Sequence, residues 1–297
     1  MATLRTPDMS MLDRLRNSGT LRSPLLAAAR YLLSPLRGGQ GLLRRAAYDA
    51  MPVPYLVTGH PEQFVVSTAD KVIGRELFLH GEFDFPKLQT ALAILAREGL
   101  PKPTHLIDVG ANIGTITIPA IKRGLMQTAT AIEPHPQNLR LLRANLALNG
   151  IEDCVTVLAQ AVGDRADATL FLRESATNSG NHSIDAEGIP VSSTRLDAMQ
   201  LPPPELSLLW MDIEGYEGHA LTGAQSLLSA GVPLVSEFHP EFLRQSGGLE
   251  AFESALCGRR IYDLQYPDRT QTCLGTITQR ISTRAKNLKW TDILAIP

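Results

Sequence analysis

The sequence predicts an α/β protein, an open and mostly parallel twisted sheet with helices on both faces. Three observations carry this. From residue 105 onward short apolar runs alternate with helical patterns, which is how a parallel sheet and its crossover helices read. Four of those runs close on or beside an acid, Asp108, Glu133, Asp212 and Glu237. The first run passes directly into a glycine-bearing loop, Gly110-Ala111-Asn112-Ile113-Gly114. Ligands of such sheets bind beyond the carboxyl ends of the strands. Acids repeated along that rim therefore point to a ligand, because packing does not require them.

Taken in order, residues 1–50 read as two weak helices broken at Pro24 and between Pro35 and Gly41. Strand pieces follow at 55–58 and 63–67, then a short helix over 70–79. Leu88, Ala91, Leu92 and Leu95 recur at helical spacing within 86–98, and Gly99 closes that helix. The first apolar strand is 105–108. A helix over 116–122 carries Pro119 near its start, and a strand at 129–133 leads to a helix over 136–148 that Asn149-Gly150 stops. Strands are expected at 155–159, 168–172, 190–193, 206–211, 233–238, 261–265 and 292–296. Helices are expected at 217–229 and 249–257, a polar linker at 175–185, and an insertion at 267–287. Residues 1–84 are read as a helical, basic extension and lead-in, and 85–297 as the ligand-binding domain.

Composition narrows the partners. A net charge of −2 on 297 residues gives no support for nucleic-acid binding, which rests on basic surface. Cys154, Cys257 and Cys273 are far apart. They form neither a metal-ligand spacing nor a disulfide framework, and fit a reducing, cytoplasmic setting. No run approaches the roughly 20 apolar residues that span a bilayer, so no transmembrane segment is expected. Residues 1–50 carry eight Arg against three Asp. That basic face reads as a solvated extension, with an organelle-type targeting segment as the other reading and no secretory pattern. A dimer arm, hence a homo-oligomer, a substrate lid and a surface for acidic partners stay open.

The loop itself describes the ligand. A dinucleotide fingerprint needs Gly at 112 and 115, where this chain has Asn112 and Thr115. That disfavours a nicotinamide dehydrogenase. An acid at the strand end suits a ligand that brings positive charge in place of phosphates, and Glu133, 23 residues after Gly110, is placed to accept ribose hydroxyls. Asp108 to Gly114, Ala131-Ile-Glu-Pro-His-Pro136, Asn145 to Gly150 and Ala161 to Asp164 form an ordered series. Val191 to Asp197, Met211-Asp-Ile-Glu-Gly-Tyr-Glu217 and Glu237-Phe-His239 extend it. The series resembles class I S-adenosylmethionine-dependent methyltransferases and, more narrowly, the FkbM family, over roughly residues 70–240.

The resemblance implies a Rossmann-like class I methyltransferase fold with S-adenosylmethionine as cofactor. It places Gly110, Asn112 and Gly114 along the methionine end and ribose, beside Asp108. Glu133 would hold the ribose, Pro134 the pocket wall, and Gln160 and Ala161 the adenine edge. Methyl transfer to a hydroxyl needs alignment and a general base. His239 is the first candidate, with Asp212, Glu214 and Glu217 as alternatives; Glu217 also reads as an acid placed at a helix start. Asp212, Glu214, Glu237 and His239 offer the ligand types of a divalent metal, but no i, i+4 pair fixes their geometry. A metal is not favoured, and none is assigned. Asn181, His182 and Ser183 of the polar linker could meet a hydroxylated substrate. Trp210 and Trp290 read as packing residues. The expected reaction is O-methylation of a small-molecule or glycan acceptor. N- or carboxyl-methylation, and a binding protein that keeps the fold without turnover, are the alternatives.

Overall fold

The computed structural model describes residues 39–59, 61–266, 270–283 and 289–297. The chain divides after Pro52 into two compact units, Met1–Pro52 and Val53–Pro297. The first contributes one described helix, α1 (Gly39–Asp49). The expected helices around Pro24, and the targeting reading of that segment, lie outside the described residues.

The second unit opens with the antiparallel pair β1 (Tyr55–Thr58) and β2 (Phe64–Ser67), then α2 (Ile73–His80) and α3 (Phe85–Arg97). There follow β3 (His105–Val109), α4 (Thr117–Lys122), β4 (Thr128–Ile132), α5 (Pro136–Asn149) and β5 (Val155–Leu158). Next come the short strands β6 (Ala161–Val162), β7 (Thr169–Arg173), β8 (Ser183–Asp185) and β9 (Ile189–Thr194). The chain then runs through β10 (Ser207–Met211), α6 (Glu217–Thr222), α7 (Gln225–Ser229), β11 (Leu234–Phe238), α8 (Pro240–Gln245) and α9 (Leu249–Ala255). It finishes with β12 (Arg260–Asp263), β13 (Gln271–Thr272), α10 (Leu274–Thr283) and β14 (Thr291–Ile296).

The main sheet has eight strands in the order β13-β12-β14-β11-β10-β3-β4-β5. From β11 to β5 the pairs are parallel, while β14, β12 and β13 join antiparallel. All five residues of β3, β10 and β11 are buried, so these central strands read as continuous apolar runs rather than alternating ones. Ile107, Leu209, Leu234 and Ile293 join Leu221, Phe252 and Leu256 in one core. β6 to β9 form a separate four-stranded sheet, order β6-β9-β7-β8, inserted in the chain between β5 and β10. Among the described residues no helix is long and apolar enough to cross a membrane.

Beyond the short strands β6, β8 and β13 and helix α10, none of them expected, two details differ from expectation. The helix expected over 217–229 is broken into α6 and α7. At the break a Cβ on Gly223 would stand 2.2 Å from the Gly163 carbonyl oxygen, so close backbone approach interrupts the helix. Helix α8 was not expected at all. It starts as α5 does, on a histidine N-cap followed by proline: the Nδ1 of His135 and of His239 accepts the amide of Asn138 and of Phe242. The β1–β2 pair is stitched to α5 by side-chain amides. Asn145 Oδ1 accepts the Val65 amide at 2.6 Å and its Nδ2 donates to the Ile113 carbonyl at 3.0 Å. Asn149 bonds both backbone groups of Gln63.

Candidate active site

Connections from β3 run to β4 on one side, while β10 pairs on the other, which makes the gap beyond β3 and β10 the switch point of the sheet. A cleft opens there. Gly110, Asn112, Glu133, Pro134, Gln160 and Ala161 of the expected cofactor set all line it. The loop is shaped by contact with its neighbour. Gly110 has φ 86°, and a Cβ there would lie 2.0 Å from the Asp212 carbonyl oxygen. Asn112 has φ 50°, a left-handed conformation that asparagine tolerates better than most residues. Asparagine here also supplies a donor that glycine lacks: its Nδ2 bonds the Ser179 carbonyl at 2.9 Å.

The linker 175–182 is thereby fastened over the cleft. Asn138 Nδ2 donates to the same Ser179 carbonyl at 2.9 Å, the Ser179 hydroxyl donates to Asp70, and the Lys71 amide bonds the Thr177 carbonyl at 2.7 Å. Ser179, Gly180 and His182 become cleft wall. The His182 ring lies 4.1 Å from that of His135. Burial, then repulsion from His135, lower its pKa to about 4, so it is neutral at physiological pH. Ser183 is outside both cavities described here, its hydroxyl bonded to Arg173.

Glu133 is 5% exposed. Its Oε2 accepts the Asn112 amide and its Oε1 the His135 amide, both at 2.8 Å. Burial outweighs those hydrogen bonds and raises its pKa to about 7. Each oxygen keeps lone-pair capacity for a second donor. Two expected cofactor residues stand behind the cleft instead of lining it. Asp108 is buried and accepts the Thr117 hydroxyl at 2.5 Å, which ties the strand end to the start of α4; burial raises its pKa to about 6. Gly114 packs under Ile118 and Leu142, where a Cβ would meet Ile118 Cδ1 at 2.7 Å. Both shape the loop from beneath.

A second cavity meets the first at Asp212 and Gly180. It contains two of the four expected catalytic residues besides Asp212, namely Glu214 and His239. Phe83, Phe242 and Trp290 give it an aromatic side, so Trp290 is cavity wall, whereas Trp210 is buried in β10. Glu214 has φ 54°, a strained state that non-glycine residues hold where surroundings impose it. Burial, then repulsion from Glu217, raise its pKa to about 8. The Asn181 carboxamide faces it, with nitrogen 3.0 Å from Glu214 Oε2 in the amide orientation that satisfies both groups.

His239 fits the role of base less well than its residue type suggests. Its Nδ1 accepts the Phe242 amide at 3.3 Å and its ring stacks on Phe242 at 3.8 Å. The neutral ring therefore carries its proton on Nε2 and offers a donor. Burial lowers its pKa, which keeps that neutral form. Glu217 lines neither cavity. It begins α6 and its Oε1 accepts the Ile213 and Gly215 amides at 3.0 and 3.2 Å, bracing the turn that presents Glu214. Of the expected metal-type set, Asp212 and Glu237 stay together, and Glu217 joins them in place of Glu214 and His239. Sequence reasoning did not single out Asn138, Ser179 and Tyr216 in the first cavity, or Asp84 and Lys87 in the second. Tyr216 stood inside the quoted 211–217 block; the others carry no local signal.

A switch-point cleft lined by a glycine loop and a strand-end glutamate defines the Rossmann-like methyltransferase fold. The family model described as the methyltransferase FkbM domain matches residues 108–256, half the chain, from the strand-end Asp108 through α9. The chain belongs to the FkbM methyltransferase family. It is 43% identical over 101 residues to the cobalt-precorrin-6B C(15)-methyltransferase (decarboxylating) of Salmonella typhimurium, covering 32% of this chain and 52% of that protein. The chain thus spans about half the length of that curated relative. Among solved structures, the methyltransferase FkbM of Methylobacillus flagellatus is 18% identical, covers 73% of this chain and 56% of its own, and has a TM-score of 0.43. The M. jannaschii TYW2 complex with AdoMet is 10% identical, covers 83% and 87%, and has a TM-score of 0.44.

Proposed function

We propose that this methyltransferase uses S-adenosylmethionine and methylates a hydroxyl of a small molecule. The observation that carries the cofactor is the charge of the first cavity. Among the described residues its lining includes Glu133 and Asp212 and no Lys or Arg, and the one histidine among them, His182, is neutral. Such a site opposes pyrophosphate and favours a ligand bearing ammonium and sulfonium groups beside a ribose. S-adenosylmethionine, when bound, supplies an electrophilic methyl group. Glu133 would take the ribose hydroxyls on the lone pairs its two amide donors leave free. Apolar Ile132, Val162, Leu172 and Ile184 would enclose the base. Asp212, which lines both cavities, would mark the passage between cofactor and acceptor.

For the acceptor, Glu214 is the base that geometry favours, because it faces the second cavity while His239 presents a donor there. Glu214, in the ionised form that a pKa of about 8 makes the minor one at neutral pH, would accept the proton of the acceptor hydroxyl, and His239 Nε2–H would orient the incoming molecule. The second cavity holds Asp84, Asp212, Glu214 and Glu237, with Lys87 as the one Lys or Arg among the described residues that line it. Lys87 is paired at 2.7 Å to both Asp84 and Asp292. That balance opposes a polyanion such as nucleic acid and suits a neutral or cationic hydroxyl compound.

Calorimetry with S-adenosylhomocysteine tests the cofactor: micromolar binding is expected, and none would overturn the reading. The acceptor is tested by comparing metabolites with and without the active protein. A product heavier by one methylene with the methyl on oxygen supports the reading. The Salmonella relative is named as acting at carbon, so carbon methylation is the second reading, and a new C–CH₃ signal in the product would establish it.

A further inference from the structure

We infer that Asp212, Glu217 and Glu237 form a binding site for one divalent cation of the Mg²⁺ or Mn²⁺ type, at the wall between the two cavities. One carboxylate oxygen from each residue lies within 4.8 Å of the other two. Oxygens bound to a common cation at about 2.0–2.6 Å stand no more than about 5 Å apart, so the three can close on one ion with little movement. The fold brings them together from three directions. Met211 and Ser236 are register partners on β10 and β11, which puts the next residues, Asp212 and Glu237, side by side at the strand ends. Glu217 returns to the same point because its Oε1 is held by the amides of the turn before it.

Two oxygens of this group have no hydrogen-bond partner among the described residues. They are Glu217 Oε2 and Glu237 Oε2, both buried, and the two side chains belong to residues that are 1% and 8% exposed. No Lys, Arg or His among the described residues forms an ion pair with any of the three. Neighbouring acids do have partners. Asp84 takes Lys87, and Asp292 takes Lys87 and Gln265. Among the described residues lining the second cavity the one Lys or Arg, Lys87, is thus committed, and the three acids are left facing each other. Buried charges are ordinarily paired or bound to metal.

The donor set chooses the ion. Three carboxylates with no imidazole or thiolate select a hard cation over zinc or copper. Three protein ligands leave coordination positions open. Because Asp212 lines both cavities and Glu237 the second, those positions face the acceptor space. The cation would take an acceptor oxygen there and favour its loss of a proton. This role rests on the methyl-transfer reading; the binding itself does not.

The test is Mn²⁺ binding to the full chain after chelator treatment, read by the free-ion paramagnetic resonance signal. One Mn²⁺ per chain is expected, displaced by Mg²⁺ and weakened at least tenfold in Glu237→Gln and in Glu217→Gln. Glu241→Gln, an exposed residue paired with Lys289, should bind as the parent does. If either site variant misfolds by circular dichroism, Tb³⁺ luminescence sensitised by Trp290, which lines the same cavity, reports the site in the parent chain. Sensitised emission that Mg²⁺ quenches supports the proposal. Mn²⁺ left free at millimolar concentration, or bound equally by folded Glu237→Gln, overturns it. A chain that binds S-adenosylhomocysteine but no Mn²⁺ refutes the cation alone. A chain that binds Mn²⁺ but no S-adenosylhomocysteine refutes the transfer reading alone.

Discussion

The two cavities share a wall and differ in how their carboxylates are satisfied. In the first, Glu133 has an amide donor on each oxygen. In the second, Glu237 keeps a buried oxygen without a partner among the described residues, as does Glu217 behind the cavity wall, and Glu214 is held in a left-handed backbone state. A finished set of hydrogen bonds fixes a ligand that is always the same, because nothing must rearrange to receive it. An unfinished, strained set stores cost that a ligand or a reaction can relieve. On the proposed function, the contrast gives the cavity with completed hydrogen bonds to the cofactor and the unfinished one to chemistry.

The sharpest way to break this assignment is to exchange the two candidate bases. Glu214→Gln should lower kcat by ~10²–10⁴-fold, the usual contribution of a general base, with S-adenosylhomocysteine affinity unchanged. His239→Gln keeps a side-chain donor and should lower kcat less than tenfold, an order-of-magnitude expectation for an orienting hydrogen bond. Steady-state kinetics on both variants decides, and the reverse ranking would return His239 to the role that its residue type suggested.

The finished cavity should fail differently. Glu133→Ala removes the acceptor of two backbone amides as well as the proposed ribose contact. S-adenosylhomocysteine should bind ~30–1000-fold more weakly, from a loss of roughly 2–4 kcal/mol for hydrogen bonds to a charged group, as calorimetry would show. If affinity falls no more than threefold, Glu133 is a loop brace and the cofactor lies elsewhere.

These two experiments also mark how far the sequence could be read. The strand-end acids, the loop and Glu133 were legible because a parallel sheet puts every strand's carboxyl end on one rim, so spacing along the chain converts into position. Asp108 and Gly114 were legible as residues that matter and not as residues behind the cleft, since a period cannot tell the face of a loop from its underside. The role of Glu217 was hidden for a similar reason. An acid at a helix start looks the same whether it serves the dipole or braces a turn with one oxygen and leaves the other buried. Ser179 and Asp70 are 109 positions apart in sequence and bonded in space; no local pattern announces such a pair. The missed α8 had a readable signal in His239-Pro240, the same capping pair that opens α5.

The glycine loop at the first cavity gives a stability comparison of intermediate size. Gly110→Ala places a methyl against the Asp212 backbone and forces alanine to φ 86°. The combined cost is ~2–5 kcal/mol. Gly114→Ala carries a similar backbone penalty at φ 93° but meets the movable ends of Ile118 and Leu142, so ~1–3 kcal/mol is expected. Denaturant unfolding of the two variants measures the difference, and equal losses would mean that the loop yields to the clash at Asp212.

The smallest expected effect is the pH dependence of the finished cavity. Burial holds the Glu133 pKa near 7 in the folded chain, against an ordinary 4.5. A carboxyl with a raised folded pKa adds stability that is full below about 4.5 and lost as pH rises through 7. Its size is up to ~3 kcal/mol, and the Asp108 pKa of about 6 adds in the same direction. Unliganded protein should therefore melt at lower temperature at pH 8 than at pH 5.5. Cofactor binding should run the opposite way, since ribose hydroxyls donate to the ionised carboxylate. Affinity for S-adenosylhomocysteine should rise about tenfold from pH 6 to its plateau above pH 8, with a proton released on binding below pH 7. Calorimetry in buffers of different ionisation enthalpy counts that proton, and Glu133→Gln should abolish it. A proton released equally by the variant would shift the titrating group to Asp212, and with it the line drawn here between the finished cavity and the unfinished one.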